Sequence, residues 1–175
     1  TELGRISAEQ RETVAMMLLP SRNQVIFQLK DVELVSQLIE GQYPDYQQLI
    51  PSSHSTSTIL STAEFLNACR AASIFARESS YTARLKIVPG VESENGTIEV
   101  TAKSPETGWN ETMVDATIEG DPVEIAFNVK YLVDVLNVID SPHVVLETSG
   151  PSSPGVIRPT GQKDFLSVVM PMHIS

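Results

Sequence analysis

The succession strand-helix-strand-strand-strand occurs twice between residues 56 and 175, and this repetition limits the folds open to the chain more than any single motif. The first copy opens with the short strand "TSTIL" and runs into the helix "STAEFLNACRAASIFA". Ser61 is placed to cap that helix, and Glu64, three residues on, to complete a capping box. Phe65, Cys69, Ala72 and Ala76 recur at helical spacing and mark its buried face. The strands "TARLKIVPG", "GTIEVTAKS" and "ETMVDATIEG" follow, with Leu85 and Ile87 alternating against Arg84 and Lys86, and "ESENG" turning between the first two. The second copy starts at "VEIAFNV", where Val123, Ile125 and Phe127 share a face. Asn128 then caps the helix "VKYLVDVLNVID", whose buried stripe is Leu132, Leu136 and Ile139, widened by Val133. The strands "HVVLETSG", "GVIRPTG" and "FLSVVMPM" complete it.

Such a doubled unit predicts an α+β fold in which two antiparallel sheets lie outside and both helices line one inner face. Upstream, "TVAMMLLP" and "QVIFQLKD" flank "SRN" as a hairpin, with Val25, Phe27 and Leu29 on one side, and "VELVSQLIEG" adds a third strand. The opening "TELGRISAEQRE" reads as the last turns of a helix and a polar loop, so the first segment looks like the tail of a further copy. Without an initiator Met, the chain is expected to be a fragment of a longer one. Pro44, Pro51 and the Ser/Thr run after them mark a boundary near Pro51 to Ser57. The chain is divided accordingly into residues 1–52, half of one domain, and residues 53–175, a complete one.

Composition narrows the function. No run approaches the ~20 apolar residues that span a bilayer, and no basic start precedes an apolar stretch. Cys69 is the only cysteine, which excludes an internal disulfide framework and fits a cytoplasmic protein. The net charge of -10 argues against a binder that neutralises many phosphates, but not against one that touches DNA loosely on one face. His54, His143 and His173 lie too far apart for a metal-ligand spacing. Cys69, on an apolar helix face, reads as structural. Glu111, Asp115 and Glu119 share a strand face and imitate a carboxylate pair, though a solvated face explains them better. No Gly-rich phosphate loop is present, and no cofactor or metal is expected. Arg70, Arg77 and Lys130 are helix-borne cations that would collect on one surface if both helices face it.

Three segments in order, "LIEGQYPDYQQLIP", "FNVKYLVDVLNVI" and the terminal "VVMPM", on this doubled repeat, resemble the bacterial DNA polymerase III beta subunit, or beta sliding clamp, family. The resemblance covers essentially the whole chain and implies the latter half of the middle clamp domain followed by the whole third domain. It implies a non-catalytic processivity factor. Two full-length chains would close head to tail around duplex DNA without sequence specificity, served by a clamp loader, and tether DNA polymerase III and other clamp-binding proteins through short linear motifs. It assigns Pro44, Gln48, Leu49, Asn128, Tyr131, Ser153, Pro154, Val168, Val169, Met170, Pro171 and Met172 to the partner-peptide groove. Ser80 stands where some relatives carry an aromatic, and neighbouring Tyr81 is a candidate to replace it. Ile74, Phe75, Glu106 and Glu111 match the dimer interface, and Arg70, Arg77 and Lys130 would face DNA. A fragment without the first domain is expected to be monomeric, or to associate non-natively through its incomplete first part.

Two other classes remain at this stage. One is a stand-alone protein-interaction fragment that does not encircle DNA. The other is a hydrolase built on Glu111, Asp115 or Glu119, which lacks an accompanying nucleophile, metal cluster or oxyanion loop.

Overall fold

The computed structural model describes residues 2–7, 13–43, 45–91, 95–162 and 164–173. They fall into two compact units, one up to Pro44 and one from Asp45. The first holds helix α1 (Glu2–Ser7) and an antiparallel sheet of β1 (Ala15–Leu19), β2 (Gln24–Gln28) and β3 (Glu33–Gln37) in that order. The "SRN" turn is real: residues Pro20–Arg22 make one 3-10 turn, and Asn23 closes it at φ 52°. Asparagine tolerates this left-handed conformation, and its side-chain amide donates to the Leu38 carbonyl at 3.2 Å.

The second unit runs β4 (Thr56–Ser61), α2 (Thr62–Phe75), β5 (Thr82–Val88), β6 (Gly96–Ser104), β7 (Gly108–Gly120), β8 (Val123–Asn128), α3 (Val129–Val138), β9 (His143–Thr148), β10 (Gly155–Pro159), β11 (Ser167–Val169) and β12 (Pro171–Met172). The doubled strand-helix-strand-strand-strand order is therefore present. The "ESENG" turn lies largely outside the described residues.

Alternation decides which side of each strand is buried. Leu85 and Ile87 of β5, Ile98 and Val100 of β6, and Ile125 and Phe127 of β8 are fully buried against the helices. Phe65, Cys69 and Ala72 of α2 and Ala76 just after it meet them, with Leu132 and Leu136 from α3. Ser61 does cap α2, its hydroxyl accepting from the Glu64 N–H at 3.4 Å. The helices run antiparallel. Thr62 at the start of α2 donates to the Ser141 carbonyl beyond the end of α3 at 2.7 Å, while Val129 at the start of α3 donates to Tyr81 beyond the end of α2 at 2.8 Å.

Four details differ from expectation. The copies share one sheet rather than forming two: β4 pairs with both β7 and β9, and β5 with both β6 and β8, giving the order β11-β10-β9-β4-β7-β6-β5-β8-β12. "FLSVVMPM" is two strands, because β11 pairs with β10 and β12 with β8 at Phe127 and Ala126. Those partners stand at opposite ends of the sheet order, and only Met170 separates β11 from β12. The sheet therefore curves until its two edges nearly meet. Strand β7 starts at Gly108, not Glu111, because the Ser104 hydroxyl accepts from the N–H groups of Glu106 and Thr107 at 3.2 and 3.1 Å and fixes a tight hairpin. Ile139 is only half-buried, since α3 ends at Val138, and Val129 and Val135 complete its buried face instead.

Candidate functional site: an apolar cavity beside the terminal strand

The site is built around the start of α3. The Asn128 side chain accepts from the Lys130 N–H at 3.1 Å and donates to the Ser80 carbonyl at 3.3 Å. It thus caps the helix and fastens it to the turn that follows α2. Ser80 (φ 55°) and Tyr81 (φ 59°) in that turn are both left-handed, a conformation that costs non-glycine residues about 1 kcal/mol or more each. The Tyr81 N–H donates to the Ala76 carbonyl at 2.8 Å and its carbonyl receives Val129, so the surroundings hold the strained pair in place. The turn sets the Tyr81 ring beneath Lys130, whose Nζ lies 3.8 Å from the ring centroid. The hydrogen bond and charge of Lys130, with Arg77 beyond, hold the Tyr81 phenol below its ordinary pKa.

One turn further along α3, Tyr131, Asp134 and Val135 face Ser167, Val168, Val169 and Met170 across a cavity of about 410 Å³. Val169 closes the floor at 4% exposure, while Tyr131 at 61% and Met170 at 55% stand open. Alternation along β11 sends Val169 inward and its neighbours Val168 and Met170 outward. Met172 departs from this set. It borders a separate cavity of about 880 Å³ on the outer sheet face, with Thr82, Arg84, Trp109, Glu111 and His173. The Thr82 hydroxyl donates to the Met172 sulfur at 3.5 Å.

The structure thus brings Tyr131, Val168, Val169 and Met170 into one place. Pro171 is half-buried opposite Phe127, and Ser153 and Pro154 are half-buried ahead of β10, outside both cavities. Gln48 and Leu49 sit in an exposed 3-10 turn, Tyr46–Leu49, capped by Asp45, which takes bonds from the Gln47 N–H and the Gln48 amide at 3.2 and 3.0 Å. Pro44 lies outside the described residues. Asp134, Val135 and Ser167 were not expected. The first two lie three and four positions after Tyr131, the spacing that puts residues on one helix face.

Ile74, 68% exposed, and half-buried Phe75 close α2, Phe75 packing on the core. Glu106 lies in the β6–β7 hairpin turn and Glu111 is exposed on β7. Residues 108–115 of β7 pair with β6 on one edge, whereas β4 reaches only residues 116–120. Among the described residues, the other edge of that half-strand carries no strand partner. Arg70, Arg77 and Lys130 are exposed along the helix pair, and Arg70 donates to the Asn137 side chain across it at 2.7 Å.

Nothing in the remaining candidates assembles into a reaction centre. His54 lies 3.7 Å from Glu147, which also takes a bond from Arg158 at 3.2 Å. His143, at the start of β9, and His173, just after β12, are exposed. Burial pushes the Cys69 thiol well up, away from thiolate chemistry. Glu111, Asp115 and Glu119 point to solvent. No group of three or more His, Cys, Asp or Glu residues among the described residues could hold a metal ion.

The family profile for the DNA polymerase III beta subunit, C-terminal domain, matches residues 47–173. The chain belongs to the DNA polymerase III beta subunit family. The Bacillus subtilis beta sliding clamp is 33% identical over 174 residues, covering 99% of this chain and 44% of the relative. The crystal structure of the Bacillus subtilis DNA polymerase sliding clamp superposes with a TM-score of 0.79 at 31% identity, over 99% of this chain and 44% of that one. A Bartonella birtlesii sliding clamp bound to griselimycin superposes with a TM-score of 0.79 at 28% identity, over 99% and 45%. The chain thus spans less than half the length of the family members it matches.

Proposed function

We propose that this chain acts as part of a DNA sliding clamp, a non-catalytic processivity factor of the cytoplasm that tethers DNA polymerase III and other clamp-binding proteins through a peptide groove. The observation that carries the reading is the open apolar cavity beneath Tyr131 and Met170, in a chain of this family. A strand that buries Val169 but holds Val168 and Met170 outward leaves apolar surface for a partner to cover. Methionine suits a site that receives many partners, because its unbranched side chain repacks. In this reading Asn128, Gln48, Leu49, Ser153, Pro154, Pro171 and Met172 belong to the surroundings of the same groove.

The reading extends to assembly. The open edge at residues 108–115 of β7, which carries Glu111, supports strand addition by a neighbouring chain, and exposed Ile74, with Phe75 and Glu106, would belong to the same interface. Residues 1–52 and 53–175 would belong to successive clamp domains. Arg70, Arg77 and Lys130 would face duplex DNA inside the closed ring, to which a clamp loader delivers the template. A ring holds DNA by linkage and needs few contacts, so the net charge of -10 is no obstacle.

The test is calorimetric titration of the chain with a short peptide carrying a Gln and an apolar terminal pair. Tyr131→Ala and Met170→Ala should each weaken binding about tenfold or more, as loss of a central anchor does. Met172→Ala, on the neighbouring cavity, should cost less. Binding indifferent to Tyr131→Ala and Met170→Ala would overturn the groove.

A further inference from the structure

Met172 stands apart from the groove and lines the second cavity, of about 880 Å³, on the outer face of the sheet. That face is built in register. Met172 of β12 stands opposite Ala126 of β8, Ala126 opposite Arg84 of β5, Arg84 opposite Thr101 of β6, and Thr101 opposite Glu111 of β7. Directly opposed residues share a face, so the five strands form one platform. Ala126, Thr82 and Thr101 keep its middle low. Arg84, the long side chain between Ala126 and Thr101, is engaged elsewhere: its guanidinium lies 2.8 Å from the Glu124 carboxylate. Trp109, on the strand at the far side, is 63% exposed, whereas Val114 and Ala116 on the opposite face of β7 are buried. Around the cavity Arg84, Lys86 and Lys103 balance Glu99, Glu111 and Glu124, so a platform without net charge lies in a chain of net charge -10. Its apolar contacts are at its two ends, Met172 and Trp109.

The terminal strand indicates what seats there. Met170 borders the groove and Met172 the platform, two positions apart, or about 7 Å along an extended chain. A segment that fills the groove therefore reaches the platform by crossing Pro171. We propose that the platform is a second docking site for the same partner segment, which crosses the terminal strand in extended form and lays an aromatic side chain on Trp109. The inference rests on the groove reading above and lengthens its footprint. Strands lie about 4.8 Å apart, so β12 and β7, four spacings apart in the sheet order, are separated by about 19 Å. An extended segment covers that distance in about six residues. Because the groove already holds the segment, the second contact forms at a high effective concentration and adds affinity without a separate encounter. Aromatic packing on the exposed face of Trp109 supplies that contact. The residues in between cross small and hydroxyl side chains and need carry no charge.

The experiment uses the whole chain, whose single tryptophan reports from the platform and not from the groove. One peptide carries only the Gln and the terminal apolar pair. A second set extends it before the Gln through an uncharged Gly/Ser stretch, about four to eight residues long, that ends in Phe or in Ala. The short peptide should bind with little change in Trp109 emission. The best Phe peptide should bind about threefold to tenfold more tightly than its Ala counterpart and should shift or quench that emission. Trp109→Ala should bring the Phe-to-Ala ratio close to one and leave the short peptide's affinity unchanged, whereas Trp109→Phe should keep most of the ratio in calorimetry. Equal binding of Phe and Ala peptides at every length overturns the second site and leaves the groove standing. A Phe advantage that survives Trp109→Ala, or that leaves Trp109 emission unmoved, also overturns it. A full emission change with the short peptide alone puts the groove segment itself at Trp109 and overturns the crossing. Failure of every peptide to bind removes the groove, and the second site with it.

Discussion

Residues 13–43 and residues 45–173 are both rich in strands, yet they treat their apolar side chains in opposite ways. In the first stretch Leu29 is the one hydrophobic residue buried among those described, while Met16, Met17, Leu18 and Val35 are 64, 56, 55 and 46% exposed. In the second, strands of similar alternation bury Leu85, Ile87, Ile98, Ile125 and Phe127 completely. Alternation makes a strand with an apolar face; it does not supply what covers that face. In the second unit the cover is α2 and α3, packed antiparallel over a sheet whose two edges are brought together. Three strands and a six-residue helix offer no such closure.

The sharpest way to break this contrast is to cut equally into both regions. Phe127→Ala should destabilise the second unit by about 3–5 kcal/mol in chemical denaturation, because the ring is enclosed and its space cannot collapse. Val25→Ala, on a half-buried position of β2, should cost about 1 kcal/mol or less. Comparable losses at the two sites would erase the distinction. Gly120→Ala comes next. At φ +107° its added Cβ would lie 1.9 Å from the Ser55 carbonyl oxygen, so the β7 end must shift away from β4. A loss of about 2 kcal/mol or more is expected, read as a lowered denaturation midpoint. Ser61→Ala removes the α2 cap and should cost about 1 kcal/mol by the same measurement. The smallest effect is electrostatic. Lys130→Gln should raise the Tyr81 phenol toward its ordinary pKa, followed by NMR titration of its ring, with little change in stability.

Much of the second unit was legible because its signals are local. The Ser61 and Asn128 caps, the Phe65–Cys69–Ala72–Ala76 face and the alternation around Leu85 and Ile125 all depend on neighbours a few positions apart. The resemblance of "VVMPM" and "FNVKYLVDVLNVI" to one family pointed to Tyr131, Val168, Val169 and Met170, which do line one cavity. What escaped depended on distant strands. Nothing in "FLSVVMPM" says that its two halves pair with β10 and with β8, so Met172 was grouped with Met170 although it borders another cavity. Asp134 also escaped, because it borders the cavity only once α3 and the terminal strand are brought together.

The nine-strand order has a mechanical side. Because β11 and β12 lie at its two ends and are covalently joined through Met170, the last residues of the chain act as a lace across a seam. A pull on β12 toward its C-terminal side loads the two pairs at Phe127 and Ala126 first. Trimming the chain after Met170 would leave β8 bare on that side while β11 stayed attached to β10. The seam would then open beside Tyr131, so the groove and the fastening of the sheet would yield together.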